Sequence, residues 1–252
     1  MLNHTLEQMT ELRLHGMKNA FMEQMDQTAL FTDMPFEERL TILIDKEVIE
    51  RKNRRIIYLL RNARLKYKNA DISDIDYHNN RGLDKKLIQS LSQNDWLDRC
   101  HNLIITGPTG TGKTWLANAL ANQAIISGYS AHYIRISTLI EELTLKRAEG
   151  NYLKWLKRMK SFRLLILDDL GLMALTTEQT QELLEVIEAR NTNGSMIVTS
   201  QLPVKEWYAY FKNPTLADAI MDRLIHNAYK IKLKGESMRK IKNSATLSEK
   251  SE

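Results

Sequence analysis

Gly107, Pro108, Thr109, Gly110, Thr111, Gly112, Lys113 and Thr114 form the run GPTGTGKT, whose residue types are those that phosphate chemistry requires. Gly107, Gly110 and Gly112 lack a Cβ, so the chain can curl until successive backbone N–H groups point inward. The positive end of a following helix dipole adds to the attraction for an anion. Lys113 then reaches the β- and γ-phosphate oxygens of a triphosphate, and the Thr114 hydroxyl ligates magnesium. The run obeys G-x-x-x-x-G-K-[ST] in its required context, with the apolar LIIT before it as a strand and WLANALANQAI after it as a helix. Trp115, at the start of that helix, is placed with the binding segment. The expected chemistry is the binding of ATP with Mg2+; a glycine-rich turn without a ligand is the plainer alternative.

Further along, the apolar residues 164–167 run into Asp168 and Asp169, then Leu170 and Gly171. Carboxylates at the carboxyl end of a buried strand stand where parallel sheets place their ligands, and burying them without a cation is unfavourable. Asp168 is therefore assigned to the magnesium shell, directly or through water, and Asp169 to orienting and deprotonating an attacking water. A capped strand end with surface acids is the bland reading. Gln201 follows the apolar run SMIVTS, where a polar side chain can touch the γ-phosphate or the attacking water. Turn polarity alone would also explain it.

The elements that must position these groups read as an α/β pattern. Residues 102–106, 130–136, 163–168, 195–200 and 229–233 read as strands, with helices of about 10 to 16 residues between them, the pattern of a parallel sheet covered on both faces. Before them, Leu2, Leu6, Met9, Met17, Phe21 and Met25 recur at helical spacing, with an interruption expected at Gly16. A second helix is signalled by Asp33 as cap, Pro35, Glu37 and Glu38 in the first turn, and Leu40, Ile44 and Val48 along one face.

That helix ends in RKNRRIIYLLRNARLKYK, where Arg51, Lys52, Arg54, Arg55, Arg61, Arg64, Lys66 and Lys68 accumulate with no acid among them. Like charges at helical neighbour spacing repel, so a polyanion such as duplex DNA would relieve them. A solvated helix or a dock for an acidic protein remains the alternative. The expected division is a helical N-terminal domain at 1–68, a linker at 69–82 rich in Asp and Asn, a nucleotide-binding domain at 83–240 and a disordered tail at 241–252.

Composition sets outer bounds. With 43% hydrophobic and 27% charged residues, and no apolar run near the roughly 18 residues of a membrane helix, the chain reads as soluble and globular. The start MLNHTLEQMT has no secretory pattern, which places the protein in the cytoplasm. Cys100 is the only cysteine, so neither an internal disulfide nor structural zinc is expected. The net charge of +5 and pI near 9.1 are compatible with a nucleic-acid partner without requiring one.

With these motifs in place, the chain resembles the AAA+ ATPases of the IstB and DnaC group, and most of all the IstB-like helpers of insertion-sequence transposases. GPTGTGKT, LLILDDLG, VTSQLPVKEW, DRLIH and GESMRK carry the resemblance, with TELRLHGMKNAF and PFEERLTILIDKE in the N-terminal part. The resemblance implies a P-loop domain with a three-layer α/β/α arrangement, strand order 5-1-4-3-2, and a small all-α domain before it. It aligns Gln201 with sensor 1, where relatives commonly carry Asn. It matches Arg223 to an arginine finger, which serves the ATP of a neighbouring subunit and so implies a homo-oligomer with nucleotide at its interfaces. Taken alone, Arg223 is a surface salt-bridge residue. Arg239 falls at the sensor 2 position with little chain after it for a helical lid, so a simple phosphate or DNA contact competes. Asp169, where Glu is more widespread, suggests slow hydrolysis.

The function implied is an ATP-dependent regulator of transposition that oligomerises on DNA and recruits or activates the transposase of a neighbouring gene. A DnaC-type helicase loader shares the same core. A small-molecule P-loop kinase would leave the basic stretch and Arg223 without a role.

Overall fold

The computed structural model describes residues 2–77 and 81–238. Contacts divide the chain into two compact units, Met1–Tyr58 and Leu59–Glu252.

The first unit holds α1 (Leu2–Glu11), α2 (His15–Asp26), α3 (Thr28–Phe31) and most of α4 (Phe36–Ala63). The break between α1 and α2 falls before Gly16, which lies inside α2 rather than interrupting it. Gly16 serves a close approach instead: a Cβ there would lie 2.6 Å from the Lys46 carbonyl oxygen of α4. The buried face of α2 is Gly16, Ala20 and Gln24, not the expected Met17, Phe21 and Met25. On α4, likewise, Leu43 and Glu47 are buried while Leu40, Ile44 and Val48 are exposed. The crossing is held by polarity. Glu47 accepts the otherwise orphaned N–H groups of Gly16 and Met17 at the start of α2, at 2.7 and 3.1 Å, and an ion pair from Arg51 at 2.6 Å. Burial alone would push Glu47 up; the Arg51 bond and the Met17 and Gly16 N–H groups together outweigh it and hold the carboxyl below its ordinary value.

α4 stops at Ala63, and Arg64 directly after it takes a left-handed backbone conformation, φ 53°. The basic run 51–68 is thus a helix end followed by an irregular segment. The second unit begins earlier than the expected boundary at 83. Ala63, Leu65, Ala70 and Ile75 are buried, and the stretch read as a linker is tied to the core. Tyr67 N–H donates to Asn118 Oδ1 at 3.2 Å, and Asn122 Nδ2 donates to the carbonyls of Lys68 and Ala70 at 3.1 and 2.8 Å.

After α5 (Lys85–Ser92) and α6 (Asp95–Asp98) the chain alternates strand and helix: β1 (Asn102–Thr106), α7 (Lys113–Ile126), β2 (Ala131–Arg135), α8 (Ile136–Ala148), α9 (Tyr152–Ser161) and β3 (Leu164–Leu170). Then come α10 (Thr177–Arg190), β4 (Ser195–Ser200), α11 (Trp207–Phe211), α12 (Pro214–Ile225) and β5 (Ala228–Lys232). The sheet order is β2-β3-β4-β1-β5, all neighbours parallel, which is the implied 5-1-4-3-2 read from the other edge. Alternation along the strands divides the core. Ile104, Leu165, Leu167, Met196 and Val198 join side chains of α8 to α12 in one apolar cluster. α7, buried almost all round, packs against the strands and supplies the phosphate loop at its start. No helix among the described residues is long and apolar enough to cross a membrane.

Candidate nucleotide and magnesium site

The loop 107–112 leaves β1 beside β4, with the Gly107 N–H donating to the Ser200 carbonyl at 3.2 Å. Gly110 has a φ of 84°, and a Cβ there would lie 2.2 Å from Ser237 Oγ, so only glycine lets residues 235–238 cross the loop so closely. Met238 N–H completes that crossing by donating to the Gly110 carbonyl at 3.0 Å. Thr111 is buried and its hydroxyl donates to the Pro108 carbonyl at 2.9 Å. Lys113 lies inside the curl: its ammonium donates to the Gly107 and Pro108 carbonyls at 2.7 and 2.8 Å. Burial pulls its pKa down, against the opposing pull of Asp169 and Asp168. Trp115 borders a cavity of about 420 Å3 with Lys66, Tyr67, Lys68, Asn69 and Ala70.

Asp168 is wholly buried at the carboxyl end of β3. Its oxygens accept from Thr114 Oγ1 at 2.9 and 3.2 Å, from the Tyr133 hydroxyl at 2.6 Å and from Thr199 Oγ1 at 2.6 Å. Successive strand residues point to opposite faces, so two adjacent carboxylates would ordinarily separate. Here the β3–β4 register shifts between Leu167 and Leu170, and Asp169 takes a left-handed φ of 63°. The irregularity re-aims the chain at the site. Asp169 N–H donates to Thr199 Oγ1 at 3.0 Å, and its carboxylate lies 3.8 Å from Arg135 Nε. Burial raises the Asp169 pKa and the nearby Asp168 raises it further, while Arg135, Lys66 and Lys113 pull it down. The Tyr133 hydroxyl is pushed up by burial and by its bond to Asp168.

The structure therefore brings Lys113, Thr114, Asp168 and Asp169 together. Gln201 joins them, since its Oε1 accepts from the Thr109 hydroxyl of the loop at 2.8 Å. Arg223 does not. Its guanidinium donates to the Ala219 carbonyl and pairs with Glu188 at 2.8 Å. Its own carbonyl accepts from Asn102 at the first residue of β1. One strand length, about 15 Å, thus separates it from the loop of its own chain. Arg239 lies outside the described residues.

All eight expected DNA residues are exposed, but the segment is not without neutralising acids. Arg51 and Arg54 face Glu47, Arg54 also faces Glu50, and Arg64 pairs with Glu142 at 3.2 Å. These partners lie outside the run, where a scan of it alone does not look. Tyr133, Arg135 and Thr199 are site residues that sequence reasoning missed. Thr199, a hydroxyl inside the fully buried β4, was the one available signal.

The donor set fits magnesium: one hydroxyl and one buried carboxylate, leaving further positions to phosphate oxygens and water, is how that ion is commonly held. A phosphate loop between β1 and α7, an acidic β3 end and this strand order define a P-loop nucleotide-binding domain of the AAA+ class. The signature of the family described as IstB-like ATP binding protein matches residues 7–246, and the chain belongs to that family. It is 41% identical over 241 residues to a protein of Sinorhizobium fredii named as an insertion-sequence ATP-binding protein, covering 95% of this chain and 98% of the relative. A Pseudomonas fluorescens protein named as the ATP-binding protein of insertion sequence IS1162 is 44% identical over 203 residues, covering 81% of this chain and 87% of the relative. Among solved structures, that of DnaI aligns with a TM-score of 0.56 at 22% identity, over 71% of this chain and 94% of that one, a likeness of fold.

Proposed function

We propose that this protein is a Mg2+-dependent ATPase that regulates transposition, assembling on duplex DNA as a homo-oligomer with ATP at its subunit interfaces. In that assembly it recruits or activates the transposase encoded beside it, and hydrolysis ends the ATP-bound state. The observation that carries the reading is the Thr114 hydroxyl 2.9 Å from a wholly buried Asp168, directly after the phosphate loop. The kinship with insertion-sequence ATP-binding proteins supports the transposition context.

Each group has a role that its position allows. Backbone N–H groups of 107–112 and the start of α7 bind the phosphates, and Lys113 exchanges its loop carbonyls for β- and γ-oxygens. Thr114 and Asp168 would hold magnesium, which when bound neutralises charge on those oxygens. Asp169, its basicity raised by burial, orients and deprotonates the attacking water. Gln201 fixes the same water or the γ-phosphate from the loop's other side. Arg223, remote from its own loop, serves a neighbour's triphosphate after giving up Glu188. The exposed cations of 51–68 and Arg239 contact DNA or phosphate.

Sedimentation with duplex DNA, with and without ATP, tests the whole reading. Wild type should form a larger DNA-bound particle only with ATP. Lys113→Ala should abolish it. Asp169→Asn should keep the particle and lose most hydrolysis, because Asn tolerates the left-handed backbone at 169 and leaves the loop and Asp168 intact. Normal turnover by Asp169→Asn would remove its assigned role, and capture of a replicative helicase in place of a transposase would overturn the transposition reading.

A further inference from the structure

Arg81 is a buried cation that the mechanism above leaves without use. It is 8% exposed, and among the described residues no carboxylate pairs with it. Its Nη2 donates to the Asp76 carbonyl at 2.7 Å, and its own carbonyl accepts from Lys234 N–H at 2.9 Å. Its Nε is buried and has no hydrogen-bond partner among the described residues. A guanidinium carries five N–H donors, and leaving them dry and unmatched is costly unless an acceptor arrives.

The side chain reaches the phosphate loop. Nη1 lies 3.4 Å from the place a Cβ on Gly112 would take, and Gly112 is the residue that opens α7. The first N–H groups of this 14-residue helix have no partner within it, so anion-attracting dipoles and a fixed planar cation stand side by side. The loop N–H groups cradle the α- and β-phosphates, whereas the lysine that follows reaches outward to β and γ.

We propose that Arg81 is a second cationic ligand of the nucleotide, binding α- and β-phosphate oxygens where α7 begins. The proposal rests on the reading of 107–114 as the nucleotide site. It differs from the role of Lys113 in one measurable respect, since a group at the α- and β-phosphates serves ADP as much as ATP.

The test is a titration of wild type, Arg81→Gln and Arg81→Lys with ADP and with a non-hydrolysable ATP analogue, beside thermal melts of the nucleotide-free proteins. Gln loses the charge and keeps an amide donor on a shorter arm. A charge-assisted bond being stronger than a neutral one, Arg81→Gln should weaken both nucleotides alike by about tenfold or more, with its nucleotide-free melt still a single cooperative transition. Arg81→Lys, a cation without the fork, should weaken both by a smaller factor, and it decides the matter if the Gln variant fails to fold. Affinities within about twofold of wild type for both nucleotides would overturn the proposal, as would a loss confined to the triphosphate. Wild type binding neither nucleotide would instead remove the nucleotide reading on which it stands.

Discussion

At Asp169 a left-handed backbone, a neighbouring carboxylate and an exposed arginine act on one side chain. Burial and Asp168 disfavour its charged form, and Arg135 at 3.8 Å favours it. If Asp169 is the base, the acid limb of the hydrolysis rate should lie above the ordinary aspartate value of 3.8, because the base works only when ionised. Arg135→Ala removes a stabilising cation, so the folded pKa rises and the limb should move to higher pH. A pH–rate profile of the two proteins checks this, and an unmoved or acid-shifted limb would separate Arg135 from the chemistry. Asp168 and Asp169 were legible in the sequence because the two acids follow an apolar run directly. Tyr133, Arg135 and Thr199 were not, because they reach the site from β2 and β4, whose closeness to β3 exists only once the sheet has formed.

At the scale of elements, the crossing of α2 and α4 shows why apolar spacing misled. Both buried faces are built around what lets two backbones approach: a glycine, an alanine, and a glutamate that satisfies the N–H groups of the facing helix. A count of large apolar residues selects the exposed faces instead. Glu47→Gln should destabilise the first unit by about 1–3 kcal/mol at neutral pH, by weakening charge-assisted bonds to Gly16, Met17 and Arg51. Since the folded pKa of Glu47 is lowered, its contribution is present above the ordinary 4.5 and disappears as pH falls through the folded value. Urea unfolding at several pH values should show the gap between wild type and variant closing in acid. A gap that persists unchanged there would mean that packing, not charge, sets the effect.

For the molecule as a whole, the net charge of +5 conceals an uneven supply of usable cations. Arg51, Arg54 and Arg64 already face Glu47, Glu50 or Glu142, so the basic run should contact fewer phosphates than its length suggests. Lys66→Ala and Lys68→Ala should each lower the steepness of the salt dependence of DNA affinity by about 0.9 per protomer, with Arg54→Ala lowering it by less. Equal effects would show that the internal ion pairs open freely on DNA. The sheet order carries a further consequence, for synthesis. β1, which launches the phosphate loop, pairs with β4 and β5, joining Leu103 to Ile197 and Tyr229. A chain emerging from the ribosome therefore carries the nucleotide motif long before it has the neighbours that shape it, and ATP can assist only the last stage of folding.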